Sequence, residues 1–171
     1  MKQFISSTIV FLAVCLHMMN GHAQEVPEIH FSELFMMPIG PKGLDFNPRL
    51  LSVIGQRVRI KGFMVHHENG PTEGQFLLAS RPVKMSEHAD GDADDLPAAT
   101  ILVRLSPDQS TWRLPHTAGL IQIKGILSAG RQEDRNGRIS WLSLDMEREA
   151  TRLMTPFELS RYLLSRLHTH Q

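Results

Sequence analysis

Histidine and carboxylate residues crowd one stretch of the chain. His66 and His67 are adjacent and run into Glu68. About twenty positions later come Glu87 and His88, then Asp90, Asp92, Asp94 and Asp95. Imidazole nitrogen and carboxylate oxygen together form the donor set of zinc and other borderline divalent ions. In an extended strand His66 and His67 point to opposite faces. One site would therefore take one of them, with His88 and a carboxylate from Glu68, Glu87 or Asp90. The candidate metal set is His66, His67, Glu87, His88 and Asp90. No HExxH spacing accompanies it, and a strand end running into a solvated acidic loop accounts for the same residues.

Other chemistries find less to use. Asp90, Asp92 and Asp94 match the start of a calcium loop, but Asp95 stands where glycine is needed and Ile101 where glutamate is needed. An EF-hand is excluded, while a looser oxygen cage is not. Arg57, Arg59 and Lys61 make a basic stripe. Binding of single-stranded nucleic acid also needs stacking platforms. Aromatics are only 6% of the chain, and the candidates nearby are Phe63, Phe76 and Trp141. The stripe reads as a solvated strand face, and no nucleic-acid partner is expected. There is no GxSxG or SxxK motif, and the only cysteine, Cys15, lies in the leader described below. His116 follows Pro115 in a loop and reads as a surface residue, while His168 and His170 lie at the C-terminal end. These residues predict no catalytic site, so the chain is not expected to be an enzyme.

The N-terminus reads as an export signal. Lys2 precedes an apolar run over 4–16, too short to span a bilayer comfortably, and Gly21-His22-Ala23 is a small-x-small cleavage site. Leu12-Ala13-Val14-Cys15 resembles a lipobox, but bulky Val14 argues against lipidation. Cleavage after Ala23 removes Cys15 and leaves about 148 residues with no thiol, enough for one domain held by its core alone. The 18 basic and 18 acidic residues balance, so no charge excess points to a polyanion. No second apolar run is long enough to be transmembrane.

The remaining chain divides into an arm with a short helix (24–56), a β domain (57–149) and a C-terminal helix (150–171). In the arm, Phe31, Leu34, Phe35, Met36 and Met37 form an apolar patch that should pack on the domain. Asn47 then caps a short helix with Pro48 at its first position, and Gly55 closes it. Five strand signals follow, over 57–66, 75–79, 100–105, 120–127 and 138–146. In the first, Val58, Ile60 and Met64 share one face. In the last, Ile139, Trp141 or Leu142, and Leu144 compete for the inner face. Gly62 and Gly125 interrupt the first and fourth as at a bulge or sharp coil. Asn136-Gly137 signals a hairpin. Thr155-Pro156-Phe157-Glu158 is a capping box ahead of Leu159, Leu163 and Leu167.

Five short strands, two of them with central glycines, predict a mainly β fold. The expectation is a small five-stranded oligonucleotide/oligosaccharide-binding (OB)-like barrel, with a β-sandwich as the alternative. The connection 106–119 departs from the OB pattern in lacking a clear helix. The phrases GQRVRIKGFMVHHENG, GQFLLA, ATILVRL and LIQIKGILSAG resemble a family of exported bacterial proteins with an OB-fold-like domain of unknown function. The resemblance covers residues 46–146. Members often carry a cysteine after the second strand, where this chain has Arg81-Pro82-Val83, so a cysteine-based metal or redox role is not implied. The expected function is that of an exported periplasmic binding or accessory protein, with an envelope protein as partner and a membrane transport system as its setting. The barrel or the Met/Phe-rich arm would be the docking surface. The alternative is a periplasmic protein binding zinc or another divalent metal through the set above.

Overall fold

The computed structural model describes residues 25–41, 43–85, 96–135 and 137–148. The export signal, the acidic stretch with Glu87, His88 and Asp90, and the C-terminal helix expected over 150–171 lie outside these residues.

The described chain is mainly β. Its strands are β1 (Glu28–Ile29), β2 (Arg57–Met64), β3 (His66–His67), β4 (Gln75–Ala79), β5 (Lys84–Met85), β6 (Ile101–Arg104), β7 (Leu120–Glu133) and β8 (Ile139–Met146). The main sheet runs β1-β2-β4-β6-β8-β7, and β7 pairs in turn with β2. Five strands thus form a ring of pairings that returns to its start. Every pairing in the ring is antiparallel except β6 with β8, which is parallel. All of the ring pairings belong to one sheet, not to the two layers of a sandwich. β1 lies parallel to β2 and covers the part of its edge that β4 does not reach.

Alternation sets the inside of the ring. Val58, Ile60 and Met64 on β2, Ile121, Ile123 and Leu127 on β7, and Leu142, Leu144 and Met146 on β8 are all buried in one cluster. On β8 the competition resolves against the larger side chain. Leu142 points in, Trp141 is 52% exposed, and Ile139 also faces out. The ring is tight enough to need glycine at its coils. A Cβ on Gly125 would run into the Asp145 carbonyl oxygen and the Leu144 side chain, and one on Gly62 would meet Leu78, Phe31 and the Ala79 oxygen at 2.8–2.9 Å.

The arm closes one end of this core. Helix α1 (Pro48–Leu51) starts as expected, with Asn47 Oδ1 accepting from the Arg49 amide at 2.8 Å, and Gly55 follows it at φ +75°. Leu34, Phe35 and Leu50 are buried, but Met36 and Met37 are not: they stand 45% and 72% exposed. The apolar patch of the arm is therefore divided between core and surface. Glu28 anchors β1 to β2 through Arg59 and Lys61, at 3.2 and 2.9 Å. The Lys61 hydrogen bond, with the Arg59 charge, holds the Glu28 carboxyl below its usual range. The basic stripe of β2 is thus used inside the protein, since Arg57 pairs with Glu147.

Candidate functional site

His66 and His67 do not end in a free loop. After Met64 the chain leaves the ring, and Val65 donates its amide to Leu77 at 2.9 Å. His66–His67 then pairs in parallel with Lys84–Met85 to form a small second sheet. The sequence drives this locally. Val65, Leu77, Ala79, Val83, Met85 and Leu102 bury one another in a second apolar cluster on the outer face of β4 and β6. Period-2 alternation puts Leu77 and Ala79 on that outer face, and an apolar residue facing outward needs cover. The 80–85 segment supplies it and fixes the two histidines. Glu68 forms an ion pair with Lys84 at 2.8 Å on the rim, and Gly70 turns the chain at φ +87°.

The connection between β6 and β7 brings in a third histidine. Leu114 is buried in the main core and holds this segment down. His116 is carried over the end of β2, where its Nε2 lies 3.1 Å from the Met64 carbonyl oxygen. A carbonyl only accepts, so Nε2 donates, and Nδ1 carries the lone pair of the neutral ring. The His116 and His66 rings meet edge to face, with centroids 4.8 Å apart and planes at 88°.

This histidine pair divides two cavities. One, of about 330 Å³, lies between the 65–72 turn and the 113–116 segment, with Phe76 and Leu114 in its wall. The other, of about 460 Å³, lies between Phe63, Pro82, Val83 and Ala118. Met64, His66 and His116 line both. His67 turns the other way and lines the first cavity together with a polar cleft beyond it. Among the described residues the two cavity walls carry the hydroxyls of Thr72 and Thr117 and no serine or cysteine. The second cavity has mainly apolar walls and can bury an apolar side chain beside the two histidines, whereas the first sets Phe76 and Leu114 among Glu68, Gln75 and Arg113.

Of the sequence-predicted metal set, only His66 and His67 fall among the described residues, and they face different ways. Among the described residues no three His, Cys, Asp or Glu side chains converge as a metal site. His116, read from sequence as a surface residue, is exposed, and its ring is also the partner of His66. The signal for it is thin: a buried leucine two residues before a histidine, in a loop fifty positions away.

No family model matches the sequence, and no curated protein matches it. Among solved structures the chain is similar to the crystal structure of a DUF3299 family protein from Pseudomonas aeruginosa PAO1. The TM-score is 0.44 at 11% identity, over 71% of this chain and 93% of that one. Likeness of that degree places the chain in no family. No helix among the described residues is long and apolar enough to cross a membrane.

Proposed function

We propose that the protein is an exported, non-catalytic binding protein of the bacterial envelope, built on a five-stranded OB-like barrel and accessory to a transport system there. One observation carries the reading: the paired cavities that share the His66–His116 wall at one end of the ring. The barrel reading draws support from the ring of pairings β2-β4-β6-β8-β7. In that architecture ligands meet the loop between the first two strands, and that loop holds His66 here. The occupant that suits an apolar cavity adjoining a mixed one is an extended segment of a partner protein, with an apolar side chain in the second cavity and a polar one in the first. A photo-crosslinking amino acid in place of Ala118, in cells of the source organism, tests this. The expected outcome is one envelope protein captured at that position and not captured when Pro82→Trp, at an exposed position of the same wall, fills the cavity. Crosslinks that are diffuse, or unchanged by Pro82→Trp, would remove the reading.

A second reading has its own observation. A histidine that donates one nitrogen to a carbonyl is oriented as metal-bound histidines are, and His116 does so beside His66. These two side chains would then anchor a divalent ion such as zinc, with any further ligand coming from the 86–95 stretch, where Glu87, His88 and Asp90 lie. Calorimetric titration with zinc, copper and nickel tests it. Binding at micromolar concentration or tighter, lost in the His66, His67 and His88 triple alanine variant and in His116→Ala, supports the metal reading. Equal weak heats in all proteins exclude it.

A further inference from the structure

Beyond the histidine wall lies a cleft of different character. It has a volume of about 340 Å³ and is lined by His67, Asn69, Thr72, Glu73, Arg113 and Arg135. The two arginines come from separate parts of the chain, and each backbone is held in place. Arg113 forms an antiparallel bridge with Glu73, and the next amide, Gly74, donates to the Trp112 carbonyl at 2.7 Å. Arg135 sits in the β7–β8 turn. Asp134 closes that turn by donating its amide to the Arg138 carbonyl at 2.8 Å and accepting the Arg138 amide on Oδ1 at 2.8 Å.

One carboxylate serves both guanidinium groups. Glu73 Oε2 lies 3.6 Å from Arg113 Nη2, and Glu73 Oε1 lies 3.7 Å from Arg135 Nη1. Both separations are within ion-pair reach and beyond hydrogen-bond distance. Among the described residues the cleft therefore keeps one positive charge in excess of its acid, and guanidinium donors of both arginines point to a further acceptor. Paired guanidinium forks match the oxygens of a carboxylate or phosphate group. Neutral polar side chains, Asn69 and Thr72, flank them.

We propose that this cleft is an oxyanion-binding site, in which Arg113 and Arg135 together grip a carboxylate or phosphoryl group and Glu73 holds the arginines in place as the ligand's internal competitor. This site goes beyond the binding reading above: it shares His67, Thr72 and Arg113 with the first cavity but none of its lining with the second, so the crosslinking test at Ala118 and the anion titration below can fail separately.

The test is a titration of the purified protein, followed by amide resonances, with inorganic phosphate in one arm and succinate in the other. Saturable shifts at Thr72, Arg113 and Arg135 are expected in at least one arm. Saturation with phosphate alone assigns a phosphoryl ligand, and with succinate alone a carboxylate ligand. Arg113→Ala combined with Arg135→Ala should weaken binding by about tenfold or more, the usual loss on removing charged hydrogen bonds. Glu73→Gln should tighten it, because the competitor is gone. Both arginine side chains are more than half exposed, so the double variant keeps its core, and its dispersed spectrum checks this directly. No saturable shift in either arm, equal affinity in the double variant, or weaker binding in Glu73→Gln overturns the proposal.

Discussion

His66 and His116, fifty residues apart in sequence, meet edge to face with ring centroids 4.8 Å apart. The contact joins the small outer sheet to the connection between β6 and β7, two parts of the chain that share no strand pairing. A T-shaped ring pair contributes about 0.5–1.5 kcal/mol beyond its area. A double-mutant cycle with His66→Ala and His116→Ala in urea denaturation should return a coupling at the lower end of that range. A coupling near zero would mean that the rings only happen to lie side by side.

The outer cluster positions His66 without belonging to the ring. Leu77 is 2% exposed and at its centre. Leu77→Ala should cost about 2–4 kcal/mol, as for other buried leucines. It should also raise the hydrogen-exchange rates of His66 and Glu68, whose amides donate to Val83 and Met85. The amides of β7 should be affected much less. Uniform acceleration across the molecule would show that the outer sheet and the ring open as one unit.

Gly62 and Gly125 should differ in their tolerance of a methyl group. At Gly125 the obstacle is backbone, the Asp145 carbonyl, whereas at Gly62 the two nearest atoms belong to the Leu78 and Phe31 side chains. Gly125→Ala is expected to cost more than about 3 kcal/mol and Gly62→Ala about 1–3, in line with the cost of overpacking. Thermal unfolding of the two variants measures the order directly.

Acid should weaken the contact between β1 and β2. The Lys61 hydrogen bond to Glu28, reinforced by Arg59, places that carboxyl below its ordinary value of 4.5. A depressed carboxylate adds stability that is present above the unfolded value and is lost as pH falls through the folded one. Wild type should therefore exceed Glu28→Gln in thermal midpoint at pH 7, with the gap closing as the pH drops below 4.5. A gap that is the same at pH 7 and pH 3 would assign the effect to packing alone.

Much of the ring can be read in the sequence. Alternation locates β2, β7 and β8 and the inward face of β2, because one buried face imposes a period of two, while β4 and β6 show as short apolar runs because both of their faces are covered. The same logic fails at β8, where Trp141 and Leu142 offer opposite registers and the tight interior selects the smaller side chain. β7 extends to Glu133, past the expected end at 127, since residues 128–133 continue pairing with β8 through an irregularity between Ala129 and Gln132. The candidate site is less legible. His66 and His67 stand out as a pair, but what fixes them is Val65, Val83 and Met85 covering the outer face of β4. That contact between distant segments leaves no periodic trace. His116 carries less signal still, because a loop residue acquires its neighbour only when the ring is closed.

That closure has a consequence for how the protein is made. β8 lies between β6 and β7, parallel to one and antiparallel to the other. Until residues 139–146 are available, β6 and β7 each present an unpaired edge, the kind of surface on which chains aggregate. A protein whose ring is completed by its last described strand cannot finish folding from the N-terminus as it emerges. The final step joins Ile101 to Leu142 and Val103 to Leu144, contacts long enough in sequence to be slow to form. Such a ring stays open until residues 139–146 have been made.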